Sequence, residues 1–297
     1  MNSYDRPIFF HIPGAFERAK ICMKLVLLYR TQGYMFKDNA YIGSVYGSPG
    51  GIWNGGRQLA GHELARPDLL YLKDFYNEYE ITVSFTFTNS LIKDTAVYDT
   101  YCNQLLEIYN TGHNAIICNS PDLEKYIRDK YGNRYGYISS TTKRLTEQEE
   151  QRAEFDKDYA LVVLDYNHNQ DLDYLNSIED KENCEILVNA VCMPDCPRRV
   201  QHYLEISKAQ LYNGMQEITC EHANKPYYKV KQQDHYISPQ CINDIYIPMG
   251  FNHFKLEGRT ADVLDLVEIL IDYLIKDEYA LEVRYLLQKE GLTEAHL

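Results

Sequence analysis

The stretch HFKLEGRTADVLDLVEILIDYLIK, residues 253–276, joins a short apolar segment to the most clearly amphipathic helix pattern in the chain. Residues 253–258 predict a strand, and the apolar residues that follow recur every three or four positions, as they do on one face of a helix. A strand followed by a helix is the repeating unit of α/β folds. The same unit can be traced upstream through most of the sequence.

Seven further apolar segments predict strands before this one. Most are β-branched or aromatic runs without strict polar alternation, which is typical of parallel strands buried on both faces. Helical patterns lie between them, and the first of these ends on Gly33, a natural C-terminal stop. The predicted strands are 7–12, 41–47, 81–87, 114–118, 135–139, 160–165, 185–190 and 253–258. Eight strand–helix alternations favour a closed (β/α)₈ TIM-type barrel over an open sheet.

The chain has 297 residues and is predicted to be a single barrel domain, 1–297. Barrels of this kind commonly occupy about 250 residues in one piece. The segment 197–252 is too long for one helix and a loop, so we predict an insertion there, after strand seven. This insertion and the residues just before it carry four of the eight cysteines.

Composition narrows the classes of function. A hydrophobic content of 45% supports a sizeable core, and a formal charge of −13 makes nucleic acid a less favourable partner. No apolar run approaches the roughly 20 residues of a membrane span, and the N-terminus lacks the pattern of a secretory signal. We therefore expect a cytoplasmic protein without membrane association. In that reducing compartment the cysteines would be core residues, catalytic thiols or metal ligands rather than disulfides.

The cysteines of the C-terminal part form the most distinctive chemical pattern. Cys192 and Cys196 follow strand seven within VNAVCMPDCPRRVQHY, residues 188–203, and Cys220 and Cys241 come later in the insertion. Four thiolates are what a [4Fe–4S] cluster or a tetrahedral zinc ion needs, and the cluster is the preferred prediction. The alternative is that they are small buried hydrophobic residues. The other four, Cys22, Cys102, Cys118 and Cys184, lie in helix or strand patterns and are predicted to be core residues.

This order of elements resembles the collagenase-like peptidase family (peptidase family U, number thirty-two). The resemblance rests on VNAVCMPDCPRRVQHY, the long insertion with further cysteines, and FNHFKLEGR before the last helix, and it covers roughly residues 80 to 275. It is nearest to the branch of iron–sulfur anaerobic hydroxylases and ubiquinone-biosynthesis accessory proteins. The resemblance implies a barrel that holds a [4Fe–4S] cluster on Cys192, Cys196, Cys220 and Cys241. It also implies an oxygen-independent hydroxylation or a related redox reaction, which would need an electron-transfer partner.

Two other regions supply candidate ligand-binding residues. The glycine loop, GSPGGIWNGGR at residues 47–57, follows strand two and contains the only tryptophan. Its density of glycine would let the backbone approach a ligand closely. We predict that Trp53 stacks on a planar substrate and that Asn54 and Arg57 bind it, Arg57 through an acidic group. A mobile surface turn is the alternative. Arg199, beside the cysteines, is also predicted to contact an acidic ligand.

The last strand supplies the candidate catalytic residues Glu257 and Arg259. If Glu257 points inward among polar groups, burial would raise its pKa and allow it to act as an acid or a base. The alternative is an ion pair of Glu257 with Arg259 that closes the barrel. The leading functional prediction is thus a redox enzyme acting with a small acidic molecule. The alternatives are a zinc-stabilised barrel that binds a ligand or partner without redox chemistry, and a peptidase.

Overall fold

Eight parallel strands close into a barrel in the order in which they occur along the chain. The computed structural model describes residues 6–57, 63–214, 220 and 225–292. The strands are β1 (Ile8–Pro13), β2 (Ala40–Gly47), β3 (Val83–Phe87), β4 (Ala115–Cys118), β5 (Gly136–Ser139), β6 (Leu161–Val163), β7 (Cys184–Leu187) and β8 (His253–Lys255). Each lies within two residues of the start of a predicted strand, and β8 pairs with β1 to complete the ring. The predicted (β/α)₈ fold is therefore confirmed.

Helices follow or separate the strands along the chain. They are α1 (Ala19–Thr31), α2 (Arg66–Glu78), α3 (Thr100–Ile108), α4 (Pro121–Tyr131), α5 (Gln148–Phe155), α6 (Leu172–Ser177), α7 (Arg199–Leu211), α8 (Tyr227–Val230), α9 (Pro239–Cys241), α10 (Ile247–Met249), α11 (Val263–Leu274) and α12 (Ala280–Leu292). Ser120 caps α4 and Pro121 occupies its first position, as the sequence pattern indicates. None of the described helices is both long and apolar enough to cross a bilayer.

The strands bury both of their faces, which explains their lack of polar alternation. On β4, Ile116 and Cys118 pack with the helices in the large outer core. Ala115 and Ile117 alternate with them and belong to a separate apolar cluster, which also includes Ile138. Because successive side chains of a strand point to opposite faces, this second cluster fills the inside of the barrel. The four cysteines predicted to be core residues are all fully buried, which confirms that prediction.

The other half of the barrel interior is polar. His11 of β1 lies 2.8 Å from the Ser44 hydroxyl, and its second ring nitrogen lies 2.9 Å from His253 on β8. Lys255 lies 3.2 Å from Glu185, so the last two strands are joined by a buried ion pair. Burial, with a smaller contribution from Lys255, lowers the pKa of His11 to about 3. Neutral imidazoles therefore link the first strand to the last.

The connection from β7 to β8 is much longer than the others. It spans residues 188–252 and contains α7 to α10, with a π-helical segment at Ile242–Tyr246. The insertion predicted at 197–252 lies inside this connection. The described strands and helices share one barrel core, while the assignment of 1–297 as one domain stays a prediction.

Candidate functional site

Helix α7 crosses the C-terminal end of the barrel, which we call the mouth. The first residue of the helix contacts Asp165, which follows β6. The last turns of the helix contact the loops that follow β2 and β3. The contacts are Arg199 Nη1 to Asp165 Oδ1 (2.8 Å), Asn89 Nδ2 to the Ser207 carbonyl (3.0 Å) and Gln210 Nε2 to the Gly51 carbonyl (3.1 Å). In a closed ring of eight strands, β2 and β6 lie on opposite sides. The helix therefore spans the mouth as a cover, on the face where barrel enzymes place their chemistry.

Arg199 anchors the first turn of this cover. Its guanidinium forms an ion pair with Asp165 and donates a hydrogen bond to the Thr141 carbonyl (3.1 Å). The ring of Tyr166 lies 3.9 Å from its central carbon, a cation–π contact. Both Arg199 and Asp165 are more than nine-tenths buried. The residue predicted to bind an acidic ligand therefore lies at the mouth, but a carboxylate of the protein already neutralises it.

Several polar atoms around Arg199 have hydrogen-bonding capacity left over. Within the described part of the chain, no hydrogen bond reaches Arg199 Nε, the Tyr166 hydroxyl or the Thr141 hydroxyl, although all three are buried. Buried polar groups in native proteins are normally satisfied by protein, water or ligand. This corner of the mouth is therefore suited to water or to polar groups of a ligand.

Arg57 and Glu257 form a second ion pair at the mouth, between the glycine loop and the end of β8. The Glu257 carboxylate also accepts a hydrogen bond from the Val191 backbone (3.0 Å), and Asn189 pairs with the Glu257 backbone in both directions. About a quarter of the Arg57 side chain (27%) and 16% of that of Glu257 remain exposed. This is the most accessible charged pair of the predicted site.

Arg259 has a different partner from the one considered in the sequence. It pairs with Glu17 of the loop after β1 (3.2 Å) and donates to the Thr86 hydroxyl on β3. Burial lowers the pKa of Arg259 and raises that of Glu17, and the attraction between the two charges opposes both shifts. The proposed pairing of Glu257 with Arg259 is therefore wrong, because Glu257 pairs with Arg57 and Arg259 pairs with Glu17. Arg259 is almost fully buried, and its contacts join the end of β8 to the loop after β1 and to β3.

Trp53 does not face a ligand. Its ring is fully buried, it donates a hydrogen bond to the Ala96 carbonyl (2.8 Å), and Phe87 and Tyr126 pack edge-on against it. The stacking predicted from sequence is corrected accordingly, because the loop folds back onto the outer core. Asn54 is also fully buried, and its side-chain amide donates a hydrogen bond to the Arg57 carbonyl. Asn54 therefore positions Arg57 and is not accessible to a ligand.

His202 and Tyr203 on α7 complete the mouth. Burial, followed by the nearby positive charges of Arg57 and Arg198, lowers the pKa of His202. Burial raises the pKa of Tyr203, and the charges of Arg199 and Arg57 oppose that shift, so both arginines lie near this phenol. The sequence pattern indicated Arg199 as a site residue but did not indicate Tyr203, Tyr166 or Thr141. Only the position of these residues after strands five, six and seven could have indicated them.

The four cysteines predicted to bind a metal are all half-buried. Cys192 packs beside Tyr166 and Ala190 at the mouth, whereas Cys241 lies in α9 against the outer core. Among the residues that the structure describes, which include all four, no group of three or more Cys, His, Asp or Glu could hold a metal ion. The [4Fe–4S] cluster and its zinc alternative therefore stay predictions from the sequence.

Comparison with known proteins supports the fold. No protein-family model matches the sequence, and no curated protein matches it significantly. A solved structure, that of the U32 peptidase Mk0906, superposes with a TM-score of 0.52 at 10% identity, covering 86% of this chain and 94% of that one. At this identity the likeness concerns the fold alone. The fold and site thus define a (β/α)₈ barrel whose charged mouth is covered by a helix from the β7–β8 connection.

Proposed function

We propose that this barrel is an enzyme that binds a small acidic molecule in the mouth, beneath α7. The observation that carries the proposal is the Arg57–Glu257 ion pair at the mouth, in which 27% of the Arg57 side chain remains exposed. A guanidinium offers five N–H donors, and one carboxylate does not use them all. The remaining donors of Arg57, the more exposed of the two, would receive a carboxylate or phosphate of the ligand.

His202 is the proton-transfer residue in this proposal. Its lowered pKa keeps the imidazole neutral near pH 7, so it can accept a proton from a bound ligand. Glu257 is a weaker candidate than the sequence indicated. Its carboxylate is already bound by Arg57 and by the Val191 backbone N–H, so it is less available to a ligand.

The likeness to a peptidase structure makes a peptide one acidic ligand to consider, through its C-terminal carboxylate. The oxygen-independent hydroxylase with an iron–sulfur cluster stays a prediction that rests on the cysteines and the family resemblance. It is tested by iron, zinc and acid-labile sulfide analysis after anaerobic purification of the wild type and of Cys192→Ala/Cys196→Ala. About four irons and four sulfides per chain, lost in the variant, would support the cluster. One zinc would support the structural alternative, and neither metal would reject both.

The anion-binding proposal is tested by calorimetric titration with succinate, citrate and pyrophosphate. We expect Arg57→Ala to weaken binding by about tenfold or more, because it removes a charge-assisted hydrogen bond. Arg134→Ala is the matched control, since Arg134 is exposed and precedes β5, at the opposite end of the barrel. Equal affinities for Arg57→Ala and the wild type, or no binding by any probe, would reject the proposal.

A further inference from the structure

Two residues in contact with Arg199 carry buried hydroxyl groups. They are Tyr166, which follows β6, and Thr141, which follows β5. Tyr166 is 4% exposed and its ring covers the Arg199 guanidinium, while the Thr141 carbonyl accepts a hydrogen bond from Arg199. No residue that the structure describes forms a hydrogen bond with either hydroxyl. We call these three residues the Tyr166–Thr141 corner.

The two hydroxyls offer hydrogen bonds to a bound molecule. A buried polar group that lacks a hydrogen bond raises the free energy of the folded state, and native proteins normally supply it with a partner. Burial raises the pKa of Tyr166, so its phenol keeps the proton at neutral pH and can donate it to a hydrogen bond. The Thr141 hydroxyl can donate or accept. The corner is therefore complementary to a group with hydrogen-bond acceptors and donors.

The charge of the corner disfavours a second acidic group. An Asp165 carboxylate oxygen lies 2.8 Å from an Arg199 nitrogen, so a buried carboxylate already neutralises the arginine. An anion beside this pair would meet the charge of Asp165 at low effective dielectric, where like charges repel strongly. An uncharged polar group meets no such repulsion. A carboxamide is suitable, since its oxygen accepts hydrogen bonds from hydroxyls and its nitrogen donates to oxygen acceptors.

The corner lies near Arg57, the more exposed arginine of the mouth. The ring of Tyr203 on α7 lies 5.7 Å from the Arg199 guanidinium, and the charge of Arg57 acts on the same phenol. The Arg57 side chain keeps 27% of its surface exposed. A short ligand whose carboxylate binds Arg57 would therefore extend past Tyr203 and reach the corner with its other end.

We propose that the Tyr166–Thr141 corner is the specificity subsite of the mouth and receives an uncharged carboxamide group of the ligand. This inference rests on the function proposed above and narrows its substrate class. The preferred ligand is a monoamide of a small dicarboxylic acid, with its carboxylate at Arg57 and its amide at the hydroxyls of Tyr166 and Thr141.

The test compares ligands that differ only at the end away from the carboxylate. Succinamate and glutaramate carry the amide, succinate and glutarate carry a second carboxylate, and isocaproate and isoheptanoate carry a branched hydrocarbon of the same shape. Each is titrated by calorimetry into the wild type, Arg57→Ala, and the corner variant Tyr166→Phe/Thr141→Val. Tyr71→Phe/Thr31→Val is the matched control, since it removes the same two hydroxyls at exposed positions.

In the wild type, we expect the amide to bind at least about tenfold more tightly than the diacid or the hydrocarbon of the same length. The hydrocarbon leaves the hydroxyls without a partner, and the diacid brings a second charge toward Asp165. The corner variant should reduce this preference to about twofold or less, whereas the control should keep it. Arg57→Ala should weaken the binding of all six ligands and leave the preference unchanged.

Urea unfolding without ligand separates binding from a structural role. Removing a hydroxyl that has no hydrogen-bond partner costs the folded state little, so the denaturation midpoint of the corner variant should not fall. A lower midpoint together with equal affinity for the amide and the hydrocarbon would assign the hydroxyls to buried water and overturn the inference.

The outcomes also separate this inference from the proposed function. Equal affinity of the wild type for the amide and the hydrocarbon, or an unchanged preference in the corner variant, overturns the inference, while weaker binding by Arg57→Ala still supports the proposed function. Equal binding by Arg57→Ala and the wild type rejects the proposed function, while loss of the amide preference in the corner variant still supports the subsite. No binding of any of the six ligands overturns both.

Discussion

Arg199 shows how one side chain can be both anchor and candidate ligand group. It is buried, its charge is neutralised by Asp165, and the ring of Tyr166 covers one face of its guanidinium. Buried ion pairs gain little over apolar substitutes, but removing one partner leaves an uncompensated charge in a low-dielectric environment. The contribution of Asp165 to stability should therefore appear most clearly when it is replaced alone.

We predict that Asp165→Asn destabilises the protein by roughly 3 kcal/mol, because the amide keeps the shape of the carboxylate but leaves the charge of Arg199 unpaired. Equilibrium unfolding in urea measures the change. Asp129→Asn is the matched control, since Asp129 pairs with Lys125 at the surface with 65% of its side chain exposed. That substitution should cost about 1 kcal/mol or less. Equal losses in the two variants would show that Arg199 does not depend on Asp165.

At the scale of elements, α7 is distinctive because its contacts with the mouth are largely polar. Gln210 and the Ser207 backbone meet the glycine loop and Asn89 through hydrogen bonds, and the Ser90 and Ser207 hydroxyls lie 3.4 Å apart. Water can replace hydrogen bonds of this kind at modest cost, so a helix held by them can open below the free energy of global unfolding. The hinges of such an opening would lie at the two ends of α7. The segment before α7 contains Pro194, Pro197 and Asp195, which has a positive φ, and the segment after it contains Asn213, which also has a positive φ.

We predict that a disulfide between Ser90→Cys and Ser207→Cys locks α7 over the mouth. In hydrogen exchange, the amides of 50–57 and 86–91 should exchange more slowly in the oxidised double variant and return to the wild-type rate after reduction. Those of β4 and β5 should not change. The single variant Ser207→Cys controls for the native cysteines. If exchange at the mouth is the same in the oxidised and reduced forms, α7 does not open separately from the rest of the fold.

For the whole molecule, the seam between the first and last strands links stability to pH. Burial lowers the pKa of His11 to about 3, and burial together with the neighbouring His11 lowers that of His253 to about 4. The pKa of an unfolded histidine is about 6.5, so below that pH the unfolded chain binds more protons than the folded one. The stability contributed by the neutral pair is therefore complete above about pH 6.5 and is lost as the pH falls toward the folded pKa values.

We predict that the free energy of unfolding falls between pH 6.5 and 5 by up to about 1.4 kcal/mol per pH unit for each histidine. This window lies above the ordinary pKa of carboxylates. His253→Gln should reduce that slope, because it removes one titrating group from the seam. His113→Gln, at an exposed position, should leave it unchanged. Urea unfolding at several pH values measures the slopes, and an identical slope in His253→Gln and the wild type would contradict this account.

The fold was largely predictable because its signals are local. All eight strands and the helices α1, α4 and α11 follow from apolar runs, caps and glycine stops that depend on neighbours in the chain. The site was predictable only in part. Position after a strand placed Arg57, Arg199 and Glu257 at the mouth, because strand ends converge in a barrel. Trp53 follows the same strand as Arg57 but is buried in the outer core, because its environment depends on which way the glycine loop folds.

The sequence by itself determined the strand–helix repeat, the long β7–β8 connection and the burial of four cysteines, since local periodicity encodes each of these. The tertiary structure alone decided the partners: Arg57 with Glu257, Arg259 with Glu17, and α7 with loops on both sides of the mouth. It likewise decided that Cys192 and Cys241 lie in different clusters. Such pairings join residues far apart in the chain, and their energies depend on burial and distance that exist only once the barrel closes.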